Sequence, residues 1–144
     1  MEGVNGLSSV TGTLHCGTNG GGPCNEHTGG LSSGRHDCGG CQTGFHTYRV
    51  ELDKTTSPEE IRWYLDGTKF FTVNSGQVDP TTWSNATNHG FFIIFNVAIG
   101  GDFLTAFGGG PTAATVSGIP MLVDYVRVFQ QQAIRRARGQ TITD

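Results

Sequence analysis

Residues 45–52 read Phe45-His46-Thr47-Tyr48-Arg49-Val50-Glu51-Leu52, with aromatic or branched side chains alternating with polar ones. That period of two predicts a strand with one covered face. Thr55-Thr56-Ser57-Pro58 is turn chemistry. Ile61-Arg62-Trp63-Tyr64-Leu65 predicts a second strand and Lys69-Phe70-Phe71-Thr72-Val73 a third. Asp66-Gly67 between them predicts a tight hairpin, because both residues tolerate the left-handed backbone such a turn requires. Residues 7–16 alternate more weakly but are rich in Val, Thr and Ser, and read as a further strand. The continuous apolar run over residues 91–98 predicts a strand buried on both faces, ended by Gly100-Gly101. Residues 121–129 alternate well and predict the last strand.

Residues 17–42 are Gly, Asn, Ser, Cys and His with almost no large apolar group, and predict a long surface loop. Residues 80–88, which carry Trp83, predict a short helical turn or loop, and residues 102–120, with Pro111 and Pro120, another loop. Residues 130–144 read as a helical or disordered tail outside a domain spanning 1–129. Short strands divided by turns, without a helix of core length, predict an all-β, antiparallel β-sandwich of the jelly-roll kind.

Composition strengthens this reading and removes some functions. Glycine makes up 23 of 144 residues, which suits tight turns and opposes long helices. The net charge of −3 leaves no basic field for nucleic acid. The basic cluster Arg135, Arg136 and Arg138 reads as a solvated end of the tail. No apolar run approaches the ~20 residues of a membrane helix, so no membrane partner is expected. Met1 leads straight into Glu2-Gly3-Val4 without the pattern of a signal peptide. No G-x-S-x-G, H-E-x-x-H or P-loop motif occurs.

Cys16, Cys24, Cys38 and Cys41 fall within the glycine-rich stretch. An even count there predicts two disulfides in an oxidising compartment. Pairing Cys16 with Cys24 and Cys38 with Cys41 closes the shortest loops, although three connectivities are open. The rival is zinc, since His15, His27 and His36 lie nearby and Cys38-Gly-Gly-Cys41 has ligand-like spacing. Against it, no second knuckle follows at finger spacing.

Several segments together resemble family 16 glycoside hydrolases, in particular bacterial endo-β-1,3-glucanases of the laminarinase type. They are Met1-Glu2-Gly3-Val4-Asn5-Gly6, Gly12-Thr13-Leu14-His15, Phe45-His46-Thr47-Tyr48 and Trp63-Tyr64-Leu65-Asp66-Gly67. Two more are Phe95-Asn96-Val97-Ala98-Ile99-Gly100-Gly101 and Val123-Asp124-Tyr125-Val126-Arg127-Val128. Each is weak alone; their order over residues 1–129 makes the match specific.

The resemblance implies a retaining glucanase carrying the motif E-x-D-x-x-E, whose first Glu is the nucleophile and whose last is the acid/base. Glu2 matches that last Glu, so the nucleophile and the assisting Asp are expected outside this sequence. Asp102 or Asp37 would be the substitutes if the chain turned over by itself. The same resemblance places His15 toward the cleft, to bond the acid/base or the sugar, and Asn96 near the cleft. Trp63 and Trp83 can stack on sugar faces or pack in the core. Asp124 matches an aspartate of a calcium site on the convex side, a structural calcium with no other cofactor required. Asn85-Ala86-Thr87 is a glycosylation sequon that matters only in a eukaryotic secretory host.

The implied function is action on, or binding of, β-1,3-glucan by a secreted protein. The alternative is a catalytically inactive β-sandwich that binds carbohydrate or is vestigial. Part of a sandwich exposes strand edges and a core face, so a homodimer or higher homo-oligomer that closes the sandwich is expected.

Overall fold

The computed structural model of the protein describes residues 1–4, 6–17, 21–25 and 30–131. His27, Arg135, Arg136, Arg138 and nearly all of the expected tail lie outside the described residues.

Strands β1 (Ser9–Val10) and β2 (Thr13–Leu14) run along one extended segment. Strands β3 (Leu31–Ser32) and β4 (His36–Asp37) return beside it in antiparallel register. The pairs are Ser9 with Asp37, Val10 with His36, Thr13 with Ser32 and Leu14 with Leu31. The register slips by one residue between the two halves, so the return strand bulges. Residues 17–42 therefore hold two strand pieces where the sequence predicted only loop. Leu31 and His36 explain why: Leu31 packs on the core and the His36 ring stacks on Phe70 at 4.6 Å. Glu2 adds a third backbone, bridged to Thr11 by N–H···O bonds of 3.0 and 2.9 Å.

The second layer is the three-stranded antiparallel sheet β5 (Tyr48–Asp53), β6 (Glu60–Leu65) and β7 (Thr68–Asn74), in that order. All three predicted strands are present, and Asp66-Gly67 forms the predicted hairpin with φ of +49° and +82°. Alternation assigns the faces of β6: Ile61, Trp63 and Leu65 are buried, while Arg62 and Tyr64 face the other way. A bulge beside Trp63 and Tyr64 turns both Phe70 and Phe71 toward the core. Helix α1 (Pro80–Thr87) opens on the Asp79 carboxylate, which accepts the Thr82 N–H at 3.0 Å, with Pro80 at its first position. The Thr82 hydroxyl and N–H hold Asp79 below the usual carboxylate range. The helix inserts Trp83 into the core of Ile61, Trp63 and Val73.

The two sheets share that core. Val10 and Cys38 from the first layer pack on Leu65 from the second, and Leu14 and Leu31 pack on the Trp63 cluster. This layering of antiparallel sheets is the expected β-sandwich. On the opposite side of the second sheet, Arg62 reaches Glu60 at 2.7 Å and Asp53 at 3.1 Å, and the Tyr64 hydroxyl donates to Glu51 at 2.6 Å. Bonds from Thr55 and then Arg62 lower the Asp53 pKa. On this face Arg62 is thus held by carboxylates from its own strand and from the end of β5.

Two expectations are corrected. Residues 91–98 and 121–129 form no strand, and Phe92 and Phe129 are 84% and 85% exposed. A strand is completed by a hydrogen-bonded neighbour, and among the described residues no backbone pairs with either segment. A short helix α2 (Asp102–Ala106) lies within the predicted loop of residues 102–120.

Candidate functional site

Register determines which side chains share the outer face of the first layer. Val10 and Leu14 pack inward, and a Cβ built on Gly12 would touch Trp63. Thr11, Thr13 and His15 therefore point outward. Directly paired residues lie on the same face, so the bridge to Thr11 puts Glu2 outward, and Ser9 brings Asp37 to that side. The result is a polar surface of Glu2, Thr11, Thr13, Asp37 and Ser32, with the Thr13 hydroxyl donating to the Ser32 hydroxyl at 3.3 Å.

On this surface Glu2 is exposed and anchored through its backbone. His15 shares its face but stands four residues beyond Thr11, about 13 Å of extended chain. Asp37 is two strands away from Glu2, so their backbones are separated by about 10 Å. Its Oδ1 accepts the Gly39 N–H at 3.2 Å. Retaining hydrolysis needs carboxyls about 5–5.5 Å apart, and this placement does not favour Asp37 as the nucleophile. Asp102 starts helix α2 and is exposed.

His15 instead walls a hollow of about 310 Å³ between the end of β2 and helix α1, together with Leu14, Asn85, His89 and Phe91. The Cys16–Cys24 disulfide closes one side. Asn85, His89 and Phe91 were not singled out by the sequence as ligand-facing residues. They meet His15 only through the packing of α1, which no local pattern announces. A second hollow, about 430 Å³, lies along another side of α1, between Thr56, Pro58, Ser75 and Ser84. Its ionisable side chain, Glu59, accepts the Trp83 Nε1–H at 2.7 Å and so supports the core.

The remaining candidates lie elsewhere. Trp63 and Trp83 are 3% and 5% exposed inside the core, so of the two alternatives both rings pack. Asn96 is exposed in the segment after α1, and no hydrogen bond links it to Glu2 or His15. Asp124 is also exposed, and among the described residues no group of three or more His, Cys, Asp or Glu gathers around a point. These side chains do not by themselves form a calcium cage. Zinc is displaced by the disulfides: Cys16 is bonded to Cys24 and Cys38 to Cys41, with Cα separations of 5.5 and 5.4 Å. This is the shortest-loop pairing.

No family model matches the chain. The chain is similar to glucan endo-1,3-beta-glucosidase A1 of Niallia circulans, 38% identical over 133 residues, which is 86% of this chain and 17% of that protein. It is 30% identical over 101 residues to the clotting factor G alpha subunit of Tachypleus tridentatus, covering 69% of this chain and 13% of that protein. The crystal structure of endo-1,3-beta-glucanase from Streptomyces sioyaensis superposes with a TM-score of 0.75 and 54% identity. That match covers 81% of this chain and 42% of the other. The chain thus spans less than half the length of each relative.

Proposed function

We propose that this chain, whose sequence and fold are those of part of a family 16 endo-1,3-β-glucanase, binds β-1,3-glucan along its outer polar face and presents Glu2 as the acid/base. The observation that carries the reading is the bridge from Glu2 to Thr11, which places Glu2 in one row with Thr13 and His15. The 54% identity to the Streptomyces sioyaensis endo-1,3-beta-glucanase supports the substrate class.

In retaining hydrolysis the acid/base first gives its proton to the glycosidic oxygen as the nucleophile takes the anomeric carbon. It then takes a proton from the water that releases the sugar. Glu2 suits this double role because it is exposed on a fixed backbone. Its partner is the first Glu of the family motif, not Asp37. The two disulfides fit an exported protein. The apolar segments, Phe92 and Phe129 among them, are covered in solution by a second copy of the chain.

Affinity electrophoresis in gels containing laminarin tests the reading. Retarded migration is expected, and migration identical to that in a polysaccharide-free gel overturns it. Any reducing-sugar release would fall by about 100-fold or more in Glu2→Gln.

A further inference from the structure

We infer that the hollow between the end of β2 and helix α1 is a subsite for a single sugar unit of a β-glucan, set apart from Glu2 and built on Phe91, His89 and Asn85. The inference rests on the glucan reading above and adds a location and residues to it.

The chemistry of the walls points to a neutral sugar. The Phe91 side chain is 66% exposed, and its ring lies 4.5 Å from that of His89 at a tilt of 45°. A ring so supported offers a flat apolar face to the C–H side of a β-glucopyranose. His89 Nδ1 is 2.8 Å from the Gly90 carbonyl. A carbonyl only accepts, so this nitrogen carries the hydrogen, and Nε2 is left to bond a sugar hydroxyl. Asn85 adds both a donor and an acceptor from α1. Among the described residues no carboxylate or ammonium lines the hollow, which disfavours a charged ligand.

Size and position agree. A volume of about 310 Å³ lies at the lower end of the ~300–1,000 Å³ of small-molecule sites. Its His15 wall continues the row from Glu2, about 13 Å along the extended chain from Thr11. A glucan lying on the outer face would reach the hollow several atoms away from the bond at Glu2. The subsite therefore favours longer chains and does no chemistry.

Isothermal titration of laminarihexaose and laminaritriose tests this with the whole protein, Phe91→Ala, His89→Ala and Phe129→Ala. Phe91→Ala and His89→Ala are expected to weaken hexaose binding about five- to tenfold and to lose the preference for hexaose over triose. Phe129→Ala should bind as the original does. If the original binds hexaose and both hollow variants bind it equally well, the subsite is overturned while the glucan reading stands. If the original binds neither sugar, the glucan reading itself fails. Thermal melts accompany the titrations; if Phe91→Ala lowers the midpoint, Asn85→Ala replaces it, with the same weakening expected and unchanged affinity counting against the subsite.

Discussion

His46 Nδ1 lies 2.7 Å from Asp66 Oδ2, and Asp66 Oδ1 accepts the Thr47 N–H at 2.9 Å. One carboxylate thus ties the β6–β7 turn to the segment entering β5. The Asp66 bond, followed by the Gly40 carbonyl, raises the His46 pKa above its usual 6.5. The His46 bond, followed by the Thr47 N–H, lowers that of Asp66 below 3.8.

The pH dependence follows from these directions. The His46 contribution is fully present below pH 6.5 and is lost as pH rises through its raised folded value. The Asp66 contribution is present above pH 3.8 and is lost as pH falls through its lowered folded value. Asp66→Asn keeps a residue that tolerates positive φ but removes the charge. Its deficit in melting temperature is expected to be largest at about pH 5 and to shrink toward both acid and alkali. A deficit that does not vary with pH would show that the ion pair contributes nothing.

Gly12→Ala should destabilise the fold through contact alone. Its Cβ would lie 2.9 Å from two ring atoms of Trp63, which is buried and cannot yield. Overpacking of this kind costs about 1–3 kcal/mol. Gly44→Ala, with nothing within 4 Å of the new carbon, should stay within about 0.5 kcal/mol. Urea denaturation midpoints compare the two.

Trp83→Phe keeps most of the ring but strands the Glu59 carboxylate, and a loss of about 1–2 kcal/mol is expected. Trp83→Ala also opens a cavity and should cost about 3–5 kcal/mol. Glu59→Gln retains an acceptor for Nε1 and should cost least. Equal losses for Phe and Ala in chemical denaturation would mean that the 2.7 Å bond matters more than the packing.

The exposed apolar segments lead to a prediction about assembly. Light scattering coupled to size-exclusion chromatography is expected to give at least twice the 15.3 kDa chain mass. A well-folded monomer would overturn the proposal that a second copy covers residues 92–99 and 121–129.

How much was legible in the sequence depended on how local each feature is. Ile61, Trp63 and Leu65 alternate with Arg62 and Tyr64, and Asp66-Gly67 can hardly be anything but a turn, so β5–β7 could be read directly. β3 and β4 were hidden because each has only two residues and lies in a polar, glycine-rich stretch. Only their partners in β1 and β2 make them strands. Residues 91–98 failed in the opposite sense: apolar content suggested a strand, but strand structure depends on a neighbour. At the site, the family-like position of Glu2 was legible. Its distance from His15 needed the register, and the meeting of His15 with His89 and Phe91 needed the fold.

Mapping laminarihexaose by backbone amide shifts in ¹H–¹⁵N NMR spectra tests most directly whether glucan lies on the outer face. The largest changes are expected along Glu2, Thr11, Thr13 and His15 and onward to His89 and Phe91. Changes confined to the opposite face at Arg49, Glu51, Arg62 and Tyr64, or no saturable change at all, would contradict it.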